Sequence, residues 1–280
     1  MNAGKFLSLN EEIHSSGELL ISTANRSFRY GDGFFETMKY ANGELVLKQL
    51  HFERLFASLD LMFFLKPAFL NKEFLEKKIQ SLISKNHHKG NVRVRITIFR
   101  GNGSLHELDN LQANVLIETW DLPIVGWNEN GLVVGFYSDA KKTCDQFSHI
   151  KSNNFLPYAM AAIWAKKNKL NDAILLNNFN RVADATIANI FILKDGIIQT
   201  PALSEGCIAG VMRKYVLKKM RDAGMPVQET VLEKGDLTQA AEIFFTNSIF
   251  NIRWIKQLGK NNYANSFSKQ LWNDIFLEKI

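Results

Sequence analysis

An α+β chain of two domains is what this sequence predicts, and three observations carry the prediction. Strand-like and helix-like segments alternate along the 280 residues with no internal repeat. The stretch NVRVRITIF (91–99) alternates strictly between apolar and polar residues, as a half-buried strand does. The stretch from Trp120 to Asn130 carries Pro123, Gly126 and two Asn with no period. It divides an N-terminal α/β domain (1–120) from a C-terminal domain (131–280), with 121–130 as linker.

Each element follows from local chemistry. ELLIST, FFETMKY and ELVLK, within 17–47, read as short strands broken by Arg29-Tyr30-Gly31-Asp32-Gly33 and by Asn42-Gly43. Asn-Gly between apolar runs is the strongest short hairpin signal. Residues 48–63 turn helical, with Leu50, Leu55, Leu59 and Met62 on one stripe. Residues 72–85 continue as an amphipathic helix that Asn71 caps. ANVLIET (113–119) and GLVVGFYS (131–138) are strands. FLPYAMAAIWAKKN (155–168) is a helix with Pro157 in its first turn, where proline is tolerated. DAILLN is a strand. A hairpin is expected at Asp195-Gly196, and Gly210 opens a helix that Gly224 and Pro226 end. EIFFTN (242–247) is a buried strand, and SFSKQLWNDIFLEKI a terminal helix.

Composition narrows the function classes. The chain is 46% hydrophobic and 22% charged, with 21 Phe, so a sizeable and partly aromatic core is expected. No apolar run reaches the roughly 18 residues of a membrane helix. The start lacks the basic-then-apolar layout of a signal peptide, and only Cys144 and Cys207 are present. A reduced, cytoplasmic setting away from membranes is the expectation. The net charge is +6 and the pI about 9.2. Lys and Arg are scattered, however, and no nucleic-acid motif appears. The charge therefore points to an anionic small molecule. The six His show no metal-ligand spacing, no metal is expected, and no Gly-x-Ser-x-Gly elbow exists. Gly31-Asp32-Gly33 and Gly101-Asn102-Gly103 are too short for nucleotide loops and read as turns.

Several residues could carry chemistry. Lys151 is the only Lys between residues 143 and 165, at a strand-to-helix junction, and an amine there could form a Schiff base if its surroundings lowered its pKa. A surface charge is the bland alternative. Arg93 and Arg95, two apart on one strand, point to one face, with Arg100 just beyond. They read either as a salt-bridged face or as a wall for carboxylates. Asp184 opens an otherwise uncharged, largely apolar stretch that leads to Ala209-Gly210-Val211-Met212. A carboxylate on a strand and free N–H groups at a helix start could hold a protonated ring nitrogen and a phosphate.

Five segments occur in an order that resembles the class IV aminotransferases, pyridoxal-phosphate enzymes of fold type IV. They are GDGFFETMKYANGELVLKQLHFERL (31–55), HIKSNN (149–154), DATIANIF (184–191), EGCIAGVMRK (205–214) and FFTNSIFNIRWI (244–255). The resemblance implies a D-amino-acid aminotransferase-like fold, with a small N-terminal sheet-and-helix domain and a larger C-terminal pseudo-barrel domain. It implies pyridoxal 5'-phosphate as cofactor and a homodimer built around its active sites. Lys151 matches the lysine that forms the aldimine and shuttles the proton. Arg54 matches the phosphate arginine, Val211 and Met212 the residues whose backbone N–H groups bind phosphate, and Ser248 a further phosphate-side position. Phe35 and Thr37 match pocket-lining residues, and Tyr30 a residue that reaches toward the neighbouring subunit's site. Asp184 stands where the family has Glu, one methylene longer, as partner of the ring nitrogen.

The family contains lyases and transaminases. Arg100-Gly101-Asn102-Gly103 resembles the RGxG loop of 4-amino-4-deoxychorismate lyases, and Thr246-Asn247-Ser248 their Asn-containing turn. Arg100 and Asn247 are thereby candidate substrate residues. The expected substrate is an anionic amine or amino acid, and the expected reaction is release of pyruvate and 4-aminobenzoate. Leu156 occupies the place of a branched-chain-enzyme Tyr. Against a lyase, the Arg-Gly-Tyr continuation is replaced by Ser104-Leu105-His106. A branched-chain or D-amino-acid transaminase is the alternative, and a non-catalytic cofactor-binding protein the third reading.

Overall fold

Alternation at every second residue gives a strand one face to bury and one to leave polar, and the first unit is built on such strands. The computed structural model describes residues 3–18, 20–124 and 126–277. Two units emerge, Met1–Ile124 with Lys151–Asn154, and Val125–Ile150 with Phe155–Ile280. In chain order the first contains β1 (Phe6–Leu9), β2 (Glu12–Ser15), α1 (Arg26–Tyr30), β3 (Gly33–Ala41), β4 (Glu44–Leu45), α2 (Lys48–Leu61), α3 (Lys72–Lys85), β5 (Val92–Phe99) and β6 (Asn114–Asp121). Its sheet runs β2-β1-β6-β5-β3-β4.

The even-numbered residues of β5, Val92, Val94, Ile96 and Ile98, are fully buried. So are Met38 of β3, Val115 and Ile117 of β6, Leu55 of α2, and Leu75, Ile79 and Leu82 of α3. Each such side chain contributes roughly 1.5–3 kcal/mol of burial. The Asn71 side chain caps α3 by accepting the Phe74 N–H, as its position predicts. Asn42 and Gly43 turn the β3–β4 hairpin with φ of 54° and 88°.

Three local expectations change. The described part of 18–23 holds no strand, and Leu19 lies outside the described residues. The sheet strands there are instead the β1–β2 hairpin, which turns at Asn10 with a φ of 53°. ELVLK is strand only to Leu45, because Leu47 is left-handed and α2 begins at Lys48. Arg29 and Tyr30 belong to a short helix, α1, that Asn25 caps and Gly31 ends. The segment Lys151–Asn154, expected in the second domain, joins the first unit. The Phe35 N–H donates to Lys151 O at 2.9 Å, and the Asn153 N–H to Gly33 O at 2.8 Å. These four residues fill the edge of β3 that the short β4 leaves uncovered.

The second unit contains β7 (Leu132–Lys142), α4 (Leu156–Lys167), β8 (Asp172–Asn177), β9 (Val182–Ala185), β10 (Asn189–Lys194), β11 (Ile197–Pro201), α5 (Val211–Asp222), β12 (Val227–Thr230), α6 (Lys234–Gln239), β13 (Glu242–Asn247), β14 (Asn251–Leu258), β15 (Asn261–Asn262) and α7 (Ser266–Leu277). The strand path is β12-β11-β10-β13-β14-β7-β8-β9, with β15 on β14. Its last strand, β9, returns against β10, so the sheet curls into the expected pseudo-barrel. Asp195 (φ 51°) and Gly196 (φ 74°) turn the β10–β11 hairpin. Phe191 and Phe244 stack at 5.2 Å, nearly parallel. Gly206 matters for the segment before α5: its φ is +83°, and a Cβ there would meet Thr143 O at 2.2 Å. Gly206→Ala should therefore lower stability by about 1–3 kcal/mol, measured as a fall in melting temperature.

Candidate active site

A carboxylate fully buried on an apolar strand needs a cation and hydrogen-bond donors, and Glu36 of β3 has both. Arg54 donates from Nε to Oε1 and from Nη2 to Oε2, both at 2.6 Å, a two-pronged pair. His51, one turn earlier on α2, lies with Nδ1 2.7 Å from Oε2. Burial alone would raise the Glu36 carboxyl, but Arg54 and His51 outweigh it and hold it at about 2. Burial keeps His51 neutral by lowering its pKa, so Nδ1–H donates to the carboxylate. Sequence reasoning found Arg54 and missed Glu36 and His51. The signal was present: one charge in the run FFETM, and a His three residues before Arg54 on the same helix face.

Lys151 sits at the edge of the same strand. Its Nζ lies 4.8 Å from the centre of the Phe35 ring, and the Arg95 guanidinium covers that ring at 3.8 Å. Burial pushes the Lys151 pKa down to about 8; Arg54, Arg95 and Arg93 add to that and Glu36 opposes it. A lysine in this state is about one-tenth neutral at pH 7, and the neutral amine is the form that attacks a carbonyl or takes a proton.

Register assigns the arginines. Thr37 pairs with Arg95 and Arg95 with Glu118; Lys39 pairs with Arg93 and Arg93 with Trp120; Phe35 pairs with Thr97. All these side chains share one sheet face, where three cations meet one carboxylate. Arg93 lies against the Trp120 ring at 5.4 Å, and its buried Nε has no hydrogen-bond partner among the described residues. Arg100, expected as a substrate residue, is engaged elsewhere. Its Nη1 donates to Asp32 Oδ1, its Nη2 to the carbonyls of Met62 and Phe63, and it stacks on Phe64 at 4.1 Å. It fastens the loop after β5 to the end of α2. Tyr30 ends α1 and is 40% exposed.

The second unit holds the other expected residues. Asp184, buried on β9, accepts at Oδ2 from the Tyr158 hydroxyl (2.8 Å) and from the Ile208 N–H (3.1 Å). Two residues after Ile208, Gly210 begins α5 with no side-chain cap. The Lys214 N–H reaches back to Gly210 O, so Val211 and Met212 occupy the first turn, where N–H groups have no partner within the helix. A Cβ on Gly210 would fall 1.9 Å from Asn189 Oδ1, and Asn189 in turn donates to Ile208 O. Only glycine allows that approach. Ser248 lies in the turn between β13 and β14, half-buried. Asn247 organises this turn: its Oδ1 accepts the N–H groups of Ile249 and Phe250, and its Nδ2 donates to Ile187 O. In the structure these contacts place Asn247 as an organiser of the turn.

A group with an aldehyde, a phosphate and a basic ring nitrogen suits the donors of the two units, each taken by itself. In the first unit the aldehyde would find a lysine of lowered pKa; in the second, the phosphate would find an uncapped 12-residue helix start and the nitrogen a buried carboxylate. No helix among the described residues is long and apolar enough to cross a membrane.

Comparison with known proteins agrees. The family description amino-transferase class IV matches residues 33–258. The chain is 30% identical over 236 residues to an aminodeoxychorismate lyase of Vibrio harveyi, covering 83% of this chain and 85% of that one. It is 25% identical over 285 residues to a D-alanine aminotransferase of Listeria innocua, covering 97% and 95%. In structure it resembles a branched-chain aminotransferase of Thermoproteus uzoniensis, with TM-score 0.87, 23% identity, and 98% and 94% of the two chains covered. The chain belongs to the class IV aminotransferases, a family of pyridoxal-phosphate-dependent enzymes.

Proposed function

We propose that this protein is a 4-amino-4-deoxychorismate lyase that releases 4-aminobenzoate and pyruvate. The observation that carries the reading is the cationic sheet face of Lys39, Arg93 and Arg95 beside Phe35, Thr37 and Lys151. A substrate with two carboxylates suits that face, and the similarity to the Vibrio harveyi lyase supports it. The role first given to Arg100 passes to Arg95 and Arg93, because forked guanidinium groups match carboxylates.

Bound pyridoxal phosphate supplies an electron sink that weakens the bonds at the substrate's Cα. The chain's residues do the rest. Lys151 Nζ holds the cofactor and then moves a proton at that carbon. Asp184 keeps the ring nitrogen protonated. The first-turn N–H groups of Val211 and Met212, with Ser248 and Arg54, hold the phosphate, and Glu36 fixes the Arg54 fork. Phe35 and Thr37 line the substrate side. The reading includes a homodimer, with Tyr30 turned to the neighbouring subunit, and a cytoplasmic setting in which Cys144 and Cys207 stay unpaired thiols.

Purified protein given 4-amino-4-deoxychorismate should release pyruvate, and Lys151→Ala should abolish the release. Amine exchange with 2-oxoglutarate or pyruvate as acceptor, without pyruvate release, would move the assignment to a transaminase. Because Lys151 loses its proton near pH 8, the rate at which cofactor-free protein takes up pyridoxal phosphate should climb tenfold per pH unit and level off near 8. An ordinary lysine would keep climbing to about 10.4; stopped-flow absorbance separates the two. Arg95→Met should raise KM at least roughly tenfold at nearly unchanged melting temperature. Arg100→Met should instead cost about 1–3 kcal/mol of stability, since Asp32 keeps only Arg26 and the Met62 and Phe63 carbonyls lose their donor.

A further inference from the structure

Asp184 is one methylene shorter than the family's Glu, and the structure treats it in a way that residue identity alone does not explain. Leu175 pairs with Asp184 and Leu176 with Val182, so Ala183 is an extra residue in β9. A bulge of this kind re-aims the side chain beside it. The carboxylate is then gripped at one oxygen. Tyr158, on the α4 face that packs against β8, donates its hydroxyl to Oδ2, and Ile208 adds its N–H. The Tyr158 ring is itself fixed. It is 4% exposed, lies among Ala161, Ala173 and Leu175, and stacks with Phe155 at 4.4 Å and 26°. Lys142 Nζ sits 4.6 Å over the ring. Burial and the Asp184 charge push the phenol's pKa far up, so Tyr158 remains a proton donor over any working pH.

We propose that Tyr158 is a positioning residue for the cofactor's ring nitrogen: its hydroxyl holds Asp184 ionised and in one orientation for that nitrogen. This rests on reading Asp184 as the nitrogen's partner. Burial favours a protonated, neutral carboxyl, and a neutral acid no longer holds a pyridinium proton in place. Donors to the ionised form reverse that preference. An aspartate set back from the nitrogen has less reach for self-adjustment than a glutamate, so its orientation has to be imposed by its neighbours. Tyr158 and Ile208 impose it.

Phenylalanine at 158 keeps the stacked ring and removes only the hydroxyl. The test compares Tyr158→Phe, Asp184→Asn and the double variant with wild-type protein. It reads the dissociation constant for pyridoxal phosphate by fluorescence, and the pH at which the bound cofactor's absorption bands interconvert. Melting temperatures of the cofactor-free proteins serve as the folding control. Tyr158→Phe should weaken binding about tenfold, as expected for one hydrogen bond to a charged group, and move the band transition by about one pH unit. Asp184→Asn should weaken binding more, and the double variant should match Asp184→Asn. If Tyr158→Phe leaves both readings unchanged while Asp184→Asn does not, Tyr158 is only a packing residue and the proposal fails alone. If the two single losses add in the double variant, Tyr158 acts by some other route and the proposal again fails. If Asp184→Asn changes nothing, the reading of Asp184 itself is wrong.

Discussion

The buried carboxylate of Glu36 is the constraint on which the candidate residues of the first unit depend. An ionised carboxylate in an apolar interior is unfavourable by several kcal/mol unless its lone pairs are matched. Arg54 and His51 supply that match from one face of α2. The pairing fixes the rotation of α2 over β3 as well as the plane of the Arg54 fork. Removing one partner of such a pair costs about 3–5 kcal/mol, because the other is left charged and buried. The strand and the helix are thus tied by electrostatics at the point where Lys151 meets the same strand through the Phe35 N–H.

Charge crowding follows from this arrangement. Arg54 is held in place by Glu36, while Arg93 and Arg95 share the opposite sheet face with only Glu118 against them. Lys151 therefore feels three guanidinium groups in a poorly solvated setting, and it gives up its proton near pH 8. The same crowding disfavours a further cation and favours an anion. Burial is the larger cause of the lysine's lowered pKa, and the fixed positive charge around the start of β3 adds to it while also favouring carboxylates.

Much of this was legible in the residues. Periodicity located α2, α3 and β5, and end signals at Pro157, Gly210, Gly224 and Pro226 located α4 and α5. Asn42-Gly43 and Asp195-Gly196 announced their hairpins through the left-handed backbone they permit. What stayed hidden was relational. Arg93, Arg95 and Arg100 look alike in sequence, and only strand register separates two face residues from one that fastens a loop. Glu36 stands out as the one charge in the run FFETM, but what matches that charge shows only when α2 is laid over it. β14 carries Arg253 and Lys256 among its apolar residues, which blurred its pattern, and it becomes a strand by pairing with β13 and β7. Asn247 matched a motif, and only the folded turn shows its side chain holding Ile249, Phe250 and Ile187.

The aspartate at position 184 shows why a motif match is an incomplete description of a site. Charge is preserved when Asp replaces Glu, but reach is not, and reach decides whether a charge can act. The structure answers with backbone and neighbour together: an extra residue in β9 re-aims the side chain, and Tyr158 and Ile208 converge on one oxygen. Neither device lies within the DATIANIF segment that carries the resemblance. Tyr158 comes from a helix 26 residues earlier in the chain, and Ile208 from the segment that leads into α5. The Ile208 contact also couples the candidate residues of the second unit to one another. The residue that donates to Asp184 stands two positions before the helix start that offers its N–H groups to a phosphate. A shift of that segment would thus disturb carboxylate and phosphate donors at once, so the Gly206 and Gly210 conformations bear on both.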